Sequence, residues 1–231
     1  MTTKSYWSPQ LEAKLHAWHQ LQQLAGQTGP APCFTIAREF GCQAYPVAEK
    51  LSQRLNARTA GDPWVVVGRE LLDEVARLSG YKVEQIEKSQ DTPASLKAIF
   101  PMFLDSSRAE ETEVFTHLRK VVREFAKRGN CILVGGGAVF AAQDLRNCIH
   151  ARLVASYAFR QQKIMSDHQL SEAAAREYIE RHQKQRDDFM RRFANGQDDH
   201  PALYHLVINN GRMGIDDMAA TIEELLVRSS R

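Results

Sequence analysis

The chain reads as a single α/β domain built on a mostly parallel sheet. Two observations predict this. Apolar runs of strand length alternate with amphipathic helix patterns along the sequence, which is the signature of βαβ units. Two of those runs, Val65–Val67 and Ile132–Val134, are continuously apolar, as strands covered on both faces must be. A length of 231 residues with 43% hydrophobic and 25% charged content suffices for one sizeable core.

The elements follow in order. Leu11, Leu15, Trp18 and Leu21 lie at helical spacing and end in the breaker run Gly26–Pro30, so residues 1–30 read as a helical extension packed on the domain or on a partner. A strand follows at Cys33–Ala37, then a turn from Arg38 to Tyr45. A helix is expected from Pro46, a residue suited to a first helical position, with Val47, Leu51 and Leu55 as its apolar stripe. The second strand spans Trp64–Val67 and leads into a helix from Arg69 to Ser79. Tyr81 to Arg108 is polar, holds Pro93 and Pro101, and reads as short helices and loops.

An amphipathic helix from Glu110 to Lys127 places Val114, Leu118, Val121, Val122 and Phe125 on one face and stops at Gly129-Asn130. The third strand, Cys131–Val134, runs into Gly135-Gly136-Gly137. The fourth, Ile149–Ala155, feeds a helix carrying Arg160 and Lys163. Ser171 opens a long charged helix to Phe193, with Glu172 in its first turn, where an acid suits the dipole. The fifth strand is Tyr204–Ile208. A closing helix, Gly214–Val227, turns Met218, Ile222, Leu225 and Leu226 inward.

Composition excludes several classes. A net charge of +2 and a pI near 8.3 are too balanced for a nucleic-acid binder. The cysteines Cys33, Cys42, Cys131 and Cys148 have no zinc-site spacing, and Cys33 and Cys131 open apolar runs as small buried hydrophobes would. The first 20 residues hold no apolar h-region, and no run approaches the ~20 residues of a membrane span. A soluble protein of the reducing cytoplasm is expected. Asp198, Asp199 and His200 are adjacent and cannot easily converge on one ion, so they read as a polar loop, and no metal site is assigned.

Chemistry concentrates in three places. The turn Arg38–Pro46 joins a buried strand to a helix N-terminus, where free N–H groups and the helix dipole favour an anion. It is a phosphate loop or an ordinary βα turn, and it lacks the pattern GxxxxGK[ST]. Gly135-Gly136-Gly137 permits close backbone approach to a ligand at a strand's C-terminal end, or is a tight turn. Arg181 and Arg186 offer guanidinium forks for phosphate, or belong to a solvated face with Glu172, Glu177, Glu180, Asp187 and Asp188. Cys42, beside the helix N-terminus, is a candidate thiolate or a small residue filling the loop.

Four segments taken in order resemble the cytidylate-kinase-like family of P-loop proteins. They are Ala37–Cys42 with its helix, Asn130–Ala138, Ala151–Ala155 with Arg160 downstream, and Tyr204–Asn210. The resemblance covers Cys33 to the C-terminus. It implies a three-layer nucleoside-monophosphate-kinase fold with a five-stranded sheet and a helical lid over about 166–198. It also implies ATP with Mg²⁺ as phosphoryl donor and CMP or dCMP as acceptor.

Carried over, Arg38 with Gly41, Cys42, Gln43, Ala44 and Tyr45 would cradle the donor phosphates. Arg69, Gly135, Gly136 and Gly137 would line the acceptor, and Arg160, Arg181 and Arg186 would act on the transferred phosphoryl group. The chain departs from the family pattern at several points. Authentic cytidylate kinases have a lysine near Ala44, a hydroxyl near Pro46, aspartates near Gly68, Gln183 and His205, and Gly-Arg-Asp at the triple glycine. Three readings follow: an ATP-dependent nucleotide kinase acting on CMP, dCMP or a related small acceptor; a catalytically impaired nucleotide-binding or regulatory protein that keeps the fold; and a kinase for a different small molecule, which the departures at Gly68 and Gly136 raise. Expected partners are small nucleotides, without nucleic acid or membrane, and a second copy through the N-terminal helix with Trp7 and Trp18.

Overall fold

The structure, a computed structural model, describes residues 31–58, 63–68, 108–135, 137–194 and 199–229. Five strands form one sheet: β1 (Cys33–Arg38), β2 (Val65–Val67), β3 (Cys131–Val134), β4 (Cys148–Val154) and β5 (Leu206–Asn209). Their order is β2-β3-β1-β4-β5 and every pairing is parallel. The helices are α1 (Ala44–Arg58), α2 (Arg108–Arg128), α3 (Ala138–Ala142), α4 (Tyr157–His168), α5 (Glu172–Phe193) and α6 (Ile215–Ser229).

Both faces of the sheet are covered, as its apolar strands require. On one side Phe34, Ile36, Ile132 and Leu153 pack on α1 through Val47 and Leu51, and on α6 through Met218 and Ile222. On the other, Leu133 packs against Leu118, Val122 and Phe125 of α2, short α3, and Phe189 and Phe193 at the end of α5. Each such side chain contributes about 1.5–3 kcal/mol by leaving water, so two full layers hold the sheet rigid. A third cluster, Ile164, Ala175, Tyr178 and Ile179, joins α4 to α5.

Cys33 lies in register with both Cys131 and Cys148, a buried row across three strands, with 3.6 Å between the Cys33 and Cys131 sulfurs. Burial pushes the Cys33 thiol well above its ordinary value, so Cys33 and Cys131 behave as the small hydrophobes expected.

Boundaries move where local bonds compete with the expected element. Trp64 does not join β2, because its N–H donates to Asn56 Oδ1 at 2.6 Å and its carbonyl accepts from Ser52 Oγ at 2.9 Å, both on α1. Tyr204 is held by a single 3₁₀ turn over Pro201–Leu203, so β5 begins at Leu206. α1 starts at Ala44. Pro46 is therefore its third residue, still among the first four positions whose N–H groups have no intrahelical acceptor. Ser171 caps α5 as expected, its hydroxyl accepting from Ala174 N–H.

The N-terminal extension, the helix at 69–79, the loops to 107 and Gly136 lie outside the described residues. Among the described residues no helix is long and apolar enough to cross a membrane.

The strand order positions the site. The chain leaves β1 towards β2 on one side, and crosses from β3 to β4 on the other. The C-terminal end of β1 is therefore a topological switch point, where open α/β sheets form their crevice.

Candidate functional site

Arg38 ends β1 at that switch point. Beside it a cleft of about 50 Å³ opens between the ends of β1 and β4, the β3–α3 turn and the C-terminal half of α5. At about 10–15 Å³ per water, it has room for roughly four waters, the scale of one phosphate group. Three guanidiniums line it, those of Arg38, Arg152 and Arg186, with one carboxylate, Asp199.

Arg186 reaches in from α5 and donates from Nη1 to the Arg38 carbonyl at 3.2 Å. The ring of Phe40 lies 5.5 Å from its guanidinium, and the ring of Tyr45 lies 5.6 Å from that of Arg38. Among the described residues neither arginine has a carboxylate in ion-pair contact. Burial, then the charge of Arg38, pulls Arg186 below the ordinary guanidinium range, and burial does the same to Arg38. A guanidinium does not surrender its proton at neutral pH, so the strain is a standing attraction for an anion.

The β3–α3 turn is shaped around these side chains. Gly135 sits at φ +74°, and a Cβ there would fall 1.8 Å from Arg38 Nη1. Gly137, at φ +70°, has the Phe193 ring 2.2 Å from where its Cβ would be. Both positions need glycine, once for backbone conformation and once for space. α5 is anchored at its end by Arg119 Nη2 donating to the Phe193 carbonyl at 2.6 Å.

The loop between β1 and α1 is largely occupied by the protein itself. Phe40 N–H donates to Gln183 Oε1 at 2.7 Å, and Gln43 N–H to Asn210 Oδ1 at 2.7 Å. Cys42 N–H meets the Glu39 carbonyl and Ala44 N–H the Cys42 carbonyl. Pro46 has no N–H. The helix N-terminus thus retains the dipole but has few donors left for a phosphate. Burial, then the Glu39 carboxylate, pushes the Cys42 thiol up to about 11. This corrects the thiolate reading and leaves the loop-filling one.

The predicted residues separate accordingly. Arg38, Gly135, Gly137 and Arg186 come together at the cleft. Arg160 does not line it. Its Nη1 donates to the Phe40 carbonyl at 3.2 Å, and its Nε lies 3.5 Å from Glu39 Oε2, so it braces the loop from behind, against Gly41. Arg181 is exposed over the Tyr178 ring at 5.5 Å. Gln43, Ala44 and Tyr45 belong to the self-bonded loop. Arg69 and Gly136 fall outside the described residues.

Sequence reasoning missed Arg152, Asp199 and the bridging role of Gln183. An arginine inside the apolar run Ile149–Val154 was the available signal for the first. Asp199 does sit in a polar loop as read, but there it pairs with Arg152 at 2.7 Å and accepts from Tyr204 Oη at 2.5 Å.

The model of the cytidylate kinase-like family matches residues 33–212. No curated protein matches the sequence at a significant level. Among solved structures, an uncharacterized protein from Eubacterium ventriosum is similar at a TM-score of 0.61 and 18% identity, over 85% of this chain and 98% of that one. Shikimate kinase from Bacteroides thetaiotaomicron gives a TM-score of 0.48 at 13% identity, over 85% and 98% of the two chains. The first likeness speaks to the fold alone, and the second is too distant to add to it.

Proposed function

The chain belongs to the cytidylate kinase-like family, and from that premise we propose that it binds a small nucleotide through its phosphate in the Arg38–Arg186 cleft, with CMP or dCMP as first candidates. Family and fold make it a nucleotide kinase-like protein. The observation that carries the proposal is the pairing of Arg186 with the Arg38 backbone, which holds two cations together with no described carboxylate in contact with either. A planar fork at each position suits phosphate oxygens in bidentate contact. The nucleoside would extend beyond the cleft mouth, since the cleft has space only for the phosphate. A cytoplasmic setting, where nucleotides are abundant, suits this reading.

ATP with Mg²⁺ at the β1–α1 loop does not fit the residues present. Ala44 provides no cation, Pro46 neither N–H nor hydroxyl, and the Gln43 N–H is already taken by Asn210. Binding without efficient transfer is therefore the leading reading.

ATP-dependent transfer to CMP or dCMP is the second reading, and one observation favours it. α5 touches both the loop, through Gln183, and the cleft, through Arg186, as a lid helix joining donor and acceptor would. It requires the Asn210 contact to open.

Calorimetric titration of CMP, dCMP, UMP and ATP, alongside a coupled assay of ADP production, tests both. CMP or dCMP binding that weakens by about 10-fold or more in Arg186→Ala, without ADP production, is the expected result. Turnover would move the conclusion to the second reading. Absence of binding by CMP, dCMP and UMP alike would overturn the proposal.

A further inference from the structure

Arg152 stands apart from the other two arginines of the cleft because it is already paired. It lies on β4 in register with Ala37 of β1, with its side chain 23% exposed. Its Nη1 contacts Asp199 Oδ2 at 2.7 Å and also donates to the Asp199 carbonyl at 3.2 Å. The Tyr204 ring lies 5.8 Å from its guanidinium, and the Tyr204 hydroxyl donates to the other carboxylate oxygen, Oδ1, at 2.5 Å. Burial, then the hydrogen bond to Asp199, holds the Tyr204 phenol well above its ordinary value, so it remains a donor.

Asp199 therefore keeps one partner, Tyr204, if Arg152 turns away. The carboxylate is 34% exposed and so stays partly hydrated. Releasing Arg152 leaves no orphaned buried charge. The charge count has a direct consequence. Three guanidiniums less one carboxylate leave two net positive charges around a phosphate-sized space. Arg38 and Arg186 supply those two charges and can face two terminal phosphate oxygens, all that a diester has, whereas the third terminal oxygen of a monoester, which shares its second negative charge, competes with Asp199 for the third arginine.

We propose that Arg152 is an exchangeable third arm of this cleft, transferred from Asp199 to the ligand, and that the exchange makes the site select dianionic phosphate monoesters over monoanionic diesters. This rests on the phosphate-binding reading above and adds to it a specificity-determining pair, Arg152 and Asp199. Asp199 acts as a competitor that a weakly charged ligand cannot displace.

The test compares CMP with its 5′-methyl phosphodiester by calorimetry in the full-length protein and in Arg152→Ala, Asp199→Asn and Arg186→Ala, with thermal melts to check folding. Wild type should prefer CMP by about 10-fold or more, the scale of one charge-assisted hydrogen bond. Arg152→Ala should weaken CMP and remove most of that preference. Asp199→Asn should act in the opposite direction, tightening CMP a few-fold, because Arg152 is then free. A merely structural Arg152–Asp199 contact would make both variants weaken both ligands alike, and that result overturns the proposal. Binding lost in Arg186→Ala with the monoester preference intact in Arg152→Ala would also overturn it while leaving the phosphate reading standing. Wild type that binds neither ligand removes both.

Discussion

Asn210 accepts the Gln43 N–H on Oδ1 at 2.7 Å and turns its own Nδ2 towards Gln43 Oε1 at 3.4 Å. The residue is buried, and its N–H is bonded to the Val154 carbonyl. A side-chain amide thus occupies a donor that the start of α1 would otherwise present to an anion. Asn210→Ala should lower stability by about 1–3 kcal/mol, the cost of leaving a partly buried donor unsatisfied. Urea denaturation measures it, and an unchanged midpoint would show the contact to be idle.

Gly135→Ala should injure the cleft more than the fold. The positive φ costs the folded state about 1–2 kcal/mol, and the new methyl must displace Arg38 Nη1, now 1.8 Å from its position. CMP affinity should fall by about 10-fold or more while the circular dichroism spectrum stays unchanged. Full affinity in this variant would place Arg38 outside the binding reaction.

His150 sets an acid limit on stability. It is buried beneath the cleft, with Thr35 Oγ1 2.8 Å from its Nδ1 and the His205 ring 5.3 Å away. Burial, then the His205 charge, pushes it down to about 4. Between that value and the ordinary one near 6.5, the unfolded chain binds more protons than the folded chain, so stability rises with pH there. The contribution is whole above about pH 6.5 and is lost as pH falls towards 4, on the order of 3 kcal/mol in all. Denaturant midpoints at pH 7.5 and 4.5 should differ accordingly, and His150→Gln should flatten the difference. A variant with the wild-type slope would assign the acid sensitivity elsewhere.

Glu223 of α6 clamps α1 from beneath. Its side chain is 2% exposed and takes Arg54 Nε at 2.6 Å and Arg58 Nη1 at 2.7 Å. Burial pushes its carboxyl up, but the Arg58 and Arg54 hydrogen bonds outweigh that and hold it below the usual range. The two arginines reach solvent and the glutamate does not. Removing both arginines should therefore destabilise more than Glu223→Ala, because only the former strands a buried charge. Thermal melts of Glu223→Ala and Arg54→Ala/Arg58→Ala give the order directly, and the reverse order would refute this account of the clamp.

Much of the architecture was legible because burial leaves a period. The runs read from Cys33, Trp64, Cys131, Ile149 and Tyr204 each hold one of the five strands, and the stripes of Leu118–Phe125 and Met218–Leu226 became core-facing helices. Most boundaries moved by one or two residues, and at Trp64 a hydrogen bond to Asn56 takes the N–H that the strand would have used. Arg38, Arg186, Gly135 and Gly137 were legible as candidates from residue type and position, and the structure brings the four to one cleft.

The amino-acid sequence by itself determined a two-faced α/β sheet and a β1–α1 turn without lysine or hydroxyl. Periodicity reports which face of an element is buried, since it reflects the average environment of neighbouring positions. It carries nothing about which distant elements meet. Tertiary structure alone decided that Asn210 and Gln183 satisfy the loop, that Arg160 braces it rather than facing the cleft, and that Arg152 meets Asp199 across 47 positions. Those meetings follow from strand order: β1 lies between β3 and β4, with β5 beyond. That arrangement brings one residue from each of several separate segments to the same strand end.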